Sequence, residues 1–101
     1  MTLLANGIMF DDREVHERFV RSWGSRGQNF RERATAVELR IDLATSSLPT
    51  AVIDRLIRYV PHAVTSDGIL LVLSRADRSQ AENRRAAHAR LLALLLSLIH
   101  I

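Results

Sequence analysis

Apolar residues recur along this chain with two different periods, and the changes of period mark out its elements. From Thr35 to Leu43, the residues Val37, Leu39, Ile41 and Leu43 alternate with Glu38, Arg40 and Asp42. A period of two with β-branched residues predicts a strand with one face buried and one wet. Val52, Ile53, Leu56, Ile57 and Val60 instead fall three and four apart, which predicts a helix with Asp54, Arg55 and Arg58 facing outward. Ser47 is its expected cap. Pro49 suits the first turn, where a missing N–H costs nothing, and Pro61 is the expected stop. Thr65-Ser66-Asp67-Gly68 has the composition of a turn. The short continuous apolar run that follows, Ile69 to Leu73, reads as a buried central strand.

Ser79 to Glu82 has the S-x-x-E spacing of a capping box and opens a last helix that runs to about Ser97. Its first half is amphipathic, with Arg84, Arg85 and Arg90. Its second half, including Leu91 to Leu96, is apolar all round. Either the domain covers that end completely or a second copy does, so a homodimer through this helix is one of the two expectations. Residues 11–21 are ambiguous. Asp11 with Glu14 resembles a capping box, and Val15 with Phe19 sit four apart, while Glu17 to Arg21 also suits a half-exposed strand. The local pattern alone leans helical. The order strand-or-helix, loop, strand, helix, strand, helix gives an α+β domain, with helices laid on a small sheet.

Composition narrows the chemistry. At 101 residues the chain is one small domain with enough surface to bury for a single core. There is no cysteine, which excludes disulfides and cysteine-based metal sites and fits a reducing compartment. The formal net charge is +3, and all 14 basic residues are arginine. Arginine forks onto phosphate and stacks on bases, so the bias reads either as RNA contact or as a habit of the source genome. His16, His62, His88 and His100 are scattered without ligand spacing, so neither a metal nor another cofactor is expected. Met1 to Phe10 has no charged leader region, and no apolar run reaches the length of a membrane span. The expected location is cytoplasmic, with no membrane partner.

The stretch Gly24 to Ala36 reads GSRGQNFRERATA. Gly24, Ser25 and Gly27 lead into Gln28 and Asn29, bracketed by Arg26, Arg31 and Arg33. Glycine admits backbone angles that a Cβ forbids, so this reads as a loop rather than a strand. It is not a phosphate-binding loop of the Lys-Ser/Thr type, whose ending is missing. A polar cationic loop between two ordered segments can carry backbone amides and a glutamine into a cavity lined by RNA or phosphate. No paired carboxylates and no Ser–His arrangement accompany it.

Several stretches occur in one order from about Phe10 to Leu96: Gly24, Gly27-Gln28-Asn29, Thr35-Ala36-Val37-Glu38-Leu39-Arg40, Ser46-Ser47-Leu48-Pro49, Ser66-Asp67-Gly68, and Arg78-Ser79-Gln80 with Asn83-Arg84. Together they resemble the catalytic domain of class I peptide-chain release factors, and within it the short, codon-independent ribosome-rescue peptidyl-tRNA hydrolases. The resemblance implies a small mixed or antiparallel sheet of three to four strands with two helices. It makes Val15 to Ser22 a strand, because sheet pairing overrules weak local preference. It implies a single catalytic domain over 1–101 with its core at 10–96.

In that family a Gly-Gly-Gln loop enters the ribosomal peptidyl-transferase centre and promotes hydrolysis of the ester joining peptide to tRNA. Carried over, Gly27 and Gln28 are the catalytic positions, with a glutamine backbone N–H stabilising the oxyanion. The implied partners are the ribosome, through large-subunit rRNA, and peptidyl-tRNA. Arg21, Arg31, Arg33 and Arg40 then read either as phosphate contacts or as a solvated charged face. Three departures from the family pattern stand out. Arg26 occupies the first motif glycine, Arg31-Glu32 replaces the usual Asn-Lys, and the basic C-terminal tail of the rescue enzymes is absent. If the position of Arg26 needs positive φ, its side chain costs about 1–2 kcal/mol, while its guanidinium is a further candidate phosphate contact. Tail loss implies weaker ribosome affinity. The alternative function is a catalytically impaired relative that binds ribosomal RNA or serves only as a structural or dimerising domain.

Overall fold

The computed structural model describes residues 2–5, 8–21, 35–75 and 79–99, with side chains over 8–20, 36–75 and 79–99. Two short strands, β1 (Thr2–Ala5) and β2 (Ile8–Phe10), form an antiparallel hairpin. Then come β3 (His16–Arg21), β4 (Thr35–Asp42), helix α1 (Thr50–Tyr59), β5 (Ile69–Ser74) and helix α2 (Gln80–Ile99). The three longer strands make one antiparallel sheet in the order β3-β4-β5. The α+β architecture and the antiparallel sheet implied above are both present; the N-terminal hairpin is an addition, since Leu3, Leu4, Ile8 and Met9 show no clean period.

The alternation in β4 becomes a two-faced strand. Val37, Leu39 and Ile41 are fully buried, and Leu43 continues the row after the strand has ended. Asp42 ends it: its carboxylate accepts from the Ala44 N–H at 3.1 Å and caps a single 3-10 turn over Leu43–Thr45. Residues 16–21 form a strand, as the resemblance implied and against the helical lean of the local pattern. Asp11 does cap, but only a 3-10 turn over Asp12–Glu14, where it accepts from the Arg13 N–H at 2.9 Å. The pairing of His16 to Arg21 with Arg40 to Thr35 then supplies the hydrogen bonds that a helix would have made internally.

Other expectations need correction. The run Ile69–Leu73 is not central: β4 takes that place and β5 lies at the edge. Its burial alternates, with Leu70, Val72 and Ser74 buried and Ile69, Leu71 and Leu73 half-buried. An apolar run does not by itself say how many of its faces are covered. Ser47 does not cap α1. Pro49 takes that position through its carbonyl, which accepts from Val52 and Ile53 N–H, while Ser47 bonds Glu14 through its own N–H at 2.9 Å. Ile57 is 51% exposed, so the stripe on α1 narrows to Val52 and Leu56 with Ile53 and Val60 at its margins. Arg55 does not face away; it is half-buried and donates to the Leu98 carbonyl at 2.8 Å, tying α1 to α2.

On α2 the buried positions Asn83, Ala87, Leu91, Leu95, Leu98 and Ile99 form one stripe at helical spacing against the sheet and α1. The domain therefore covers most of the apolar second half of this helix; Leu92 is left 39% exposed. No helix among the described residues is long and apolar enough to cross a membrane.

Candidate nucleic-acid interface

β3 and β4 form an antiparallel pair whose last described rung joins Arg21 to Thr35. Residues 22–34 connect these two positions, so whatever they carry leaves from this end of the sheet. Gly27 and Gln28, with Arg26, Arg31 and Arg33, lie outside the described residues, as does Arg78. What the structure supplies is the frame from which the segment departs.

That frame is braced at the same end by β5 and the first turns of α2. Val37 pairs with Ser74, the last residue of β5. The Ser74 hydroxyl donates to Asn83 Oδ1 at 3.5 Å, and Asn83 is fully buried. A buried amide needs polar partners, so this position fixes where α2 crosses the sheet. Ser79 is a cap, as its spacing suggested: its Oγ accepts from the Glu82 N–H at 3.2 Å.

Four residues along β3 from the end rung at Arg21, Glu17 holds two groups of α2. Arg84 Nε lies 2.7 and 2.9 Å from its two carboxylate oxygens, and His88 Nε2 lies 2.6 Å from Oε2. The hydrogen bond from Arg84 is the main reason the Glu17 carboxyl is held below its usual range; burial opposes this, and His88 adds to it. Arg84 is raised in turn by the same bond. Arg84, one of the residues that carry the family resemblance, is therefore a brace between β3 and α2. Neither Glu17 nor His88 was legible as a pair in the sequence, because 71 residues separate them and only the strand register brings them together.

The arginine candidates are divided by the fold. Arg40 pairs with His16, at the far end of the ladder from Arg21. Five residues of strand separate it from Thr35, about 17 Å. It also faces away from Glu17 and Leu39, and it shares Glu38 with Arg18: the two guanidiniums lie 3.6 and 3.7 Å from Glu38 Oε1. That oxygen is buried without a hydrogen bond, so the two ion pairs are what compensate it. Arg40 is thus not gathered with the segment 22–34.

Beyond His88, an apolar cleft of about 350 Å³ opens between α2 and the N-terminal turn, bounded by Phe10, Val15, Leu91 and Leu95. Among the described residues, no three His, Asp or Glu side chains converge as a metal site would require.

The sheet and the helices laid over it, with residues 22–34 joining β3 to β4 in the chain, make a release-factor-type domain. Residues 4–100 match the RF-1 domain, and the chain belongs to that family. It is 34% identical over 97 residues to the peptidyl-tRNA hydrolase ArfB of Pseudomonas putida, a match that covers 96% of this chain and 71% of that protein.

Proposed function

We propose that this protein rescues stalled ribosomes by hydrolysing the ester of peptidyl-tRNA in the peptidyl-transferase centre. The observation that carries the reading is the 34% identity to a peptidyl-tRNA hydrolase along nearly the whole chain. The β3–β4 frame supports it, because the rung that flanks residues 22–34, Arg21 to Thr35, belongs to a braced sheet. The work takes place where ribosomes are found, in the cytoplasm, with large-subunit rRNA and peptidyl-tRNA as the partners.

In the proposed reaction, water attacks the ester carbonyl and gives a tetrahedral oxyanion. The carbon–oxygen bond to the tRNA ribose then breaks, the ribose oxygen takes a proton and the peptide leaves as a carboxylate. Gln28 contributes a backbone N–H to the oxyanion, and Gly27 lets the chain approach closely enough for that contact. Placement of the water supplies the rest, by holding the reactants in one geometry. Arg21, Arg26, Arg31 and Arg33 contact rRNA phosphates around the segment, and Arg40 contributes from the far end of the strand.

The test is single-turnover release of labelled peptide from ribosomes stalled on a truncated message. Release by the wild-type protein, lost by at least 100-fold in Gly27→Ala, is the expected result; removal of one oxyanion donor alone costs about that much. Ribosome binding without release would overturn the hydrolytic reading.

A further inference from the structure

Two carboxylates of the sheet hold arginines in different ways. Glu17 takes Arg84 Nε at 2.7 and 2.9 Å, so that donor is spent. Glu38 stands on the opposite face of the sheet. Its neighbours Val37 and Leu39 are the ones buried in the core with the two helices, and successive side chains of a strand alternate. Arg18 lies opposite Glu38 in the register, and Arg40 follows it by two residues on β4, so all three side chains share the face turned away from the helices.

Among the described residues, Glu38 Oε1 is buried and accepts no hydrogen bond. Arg40 Nη1 at 3.6 Å and Arg18 Nε at 3.7 Å are close enough for attraction between charges and too far for a hydrogen bond. The carboxylate thus draws two guanidiniums to one point without using their N–H groups on that oxygen. The Arg18 side chain is 61% exposed and that of Arg40 39%, so both open to solvent. Two guanidiniums against one carboxylate leave a surplus of positive charge. Asp42, further along the same face, turns its carboxylate to the Ala44 N–H where the strand ends. Two adjacent forks of donors match a tetrahedral group with several acceptor oxygens better than the two oxygens of a partner carboxylate.

Resting on the function proposed above, we infer that Arg18 and Arg40 together hold a single phosphate of an RNA backbone on the helix-free face of the sheet. Glu38 is the positioning residue that keeps the two guanidiniums side by side. The Arg18–Glu38 rung lies three residues, about 10 Å, from the Arg21–Thr35 rung. The contact is therefore a second foothold, separate from residues 22–34, and it fixes the orientation of the sheet against RNA without reading sequence.

The experiment is binding to ribosomes stalled on a truncated message over a salt series, with peptide release measured in parallel. The variants are Arg18→Ala, Arg40→Ala and the triple variant Arg18→Ala, Glu38→Gln, Arg40→Ala, which leaves no buried carboxylate uncompensated. The slope of log K against log salt should fall by less than about one in each single variant and by about one in the triple variant, as one shared phosphate requires. Arg85→Ala, which removes an exposed arginine of α2, should leave the slope unchanged. An unchanged slope in the triple variant, a fall of about two, or an equal fall for Arg85→Ala overturns the inference. A photo-crosslinking side chain at position 16, opposite Arg40, should attach to RNA, and attachment to ribosomal protein alone overturns it as well. Binding without release by the wild-type protein overturns the proposed hydrolysis and leaves this contact standing; absence of ribosome binding overturns both.

Discussion

Glu17 on β3 and Arg84 on α2 lie 67 residues apart in the chain and meet at 2.7 Å. The pair joins an edge strand to the helix that covers it, four register positions from the Arg21–Thr35 rung. His88, a turn along the same helix, reaches the same carboxylate at 2.6 Å.

Because Arg84 favours the ionised carboxylate, the folded-state pKa of Glu17 is depressed. The stabilisation is fully present above the unfolded value, about 4.3 for glutamate, and is lost as pH falls through the lower folded value. Arg84 is more than half exposed, so solvent screening keeps the contribution of the pair small. Urea unfolding of Glu17→Gln, Arg84→Ala and the double variant at pH 7 should give a correspondingly small coupling. The stability of Glu17→Gln should fall less steeply than wild type as pH drops below the ordinary glutamate range and through the lower folded value.

Two neighbours on α1 should behave oppositely. Leu56 is fully buried, so Leu56→Ala should destabilise by about 2–5 kcal/mol through lost contacts and a cavity. Ile57 is half exposed, and Ile57→Ala should stay within about 0.5 kcal/mol of wild type. Chemical denaturation of both variants checks whether the apolar stripe is as narrow as the burial indicates.

Gly68 closes the turn before β5 with φ +82, and its N–H donates to the Thr65 carbonyl at 2.9 Å. A Cβ there would meet nothing within 4 Å, so the cost of Gly68→Ala is backbone strain alone, about 1–2 kcal/mol. Asn, which tolerates this region better, should cost less. Equal losses for Ala and Asn in thermal unfolding would contradict the strain argument.

The arginines should separate in a salt series. For ribosome binding followed by co-sedimentation, replacing Arg31 and Arg33 together with alanine should lower the slope of log K against log salt by about two. Arg40→Ala should lower it by less than about one, because Glu38 already shares its charge with Arg18. A slope change for Arg40→Ala as large as for the double variant would place Arg40 in full phosphate contact.

Local pattern was enough wherever one residue's neighbours in sequence are also its neighbours in space. The alternation around Leu39, the Ser79 cap, the turn at Gly68 and the stop at Pro61 were all readable for that reason. It misled where the outcome depends on distant chain. Residues 16–21 lean helical until β4 offers them a ladder, Ile69–Leu73 gives no sign of being an edge, and Ser47 bonds Glu14 instead of capping a helix. The candidate site divides in the same way. Gly27 and Gln28 are visible as residue types in a loop, whereas nothing local places Glu17 under Arg84 and His88 or leaves Phe19 uncovered.

The order of residues therefore determined β4, the two helices, the class of the fold and the segment that carries the proposed chemistry, since period, caps and turn residues act over a few positions. Strand order, the braces of β3 to α2 and the separation of Arg40 from Arg21 were decided by long-range pairing. A ladder's register and the helix laid across it set which side chains meet, and neither is encoded in any one stretch of the chain.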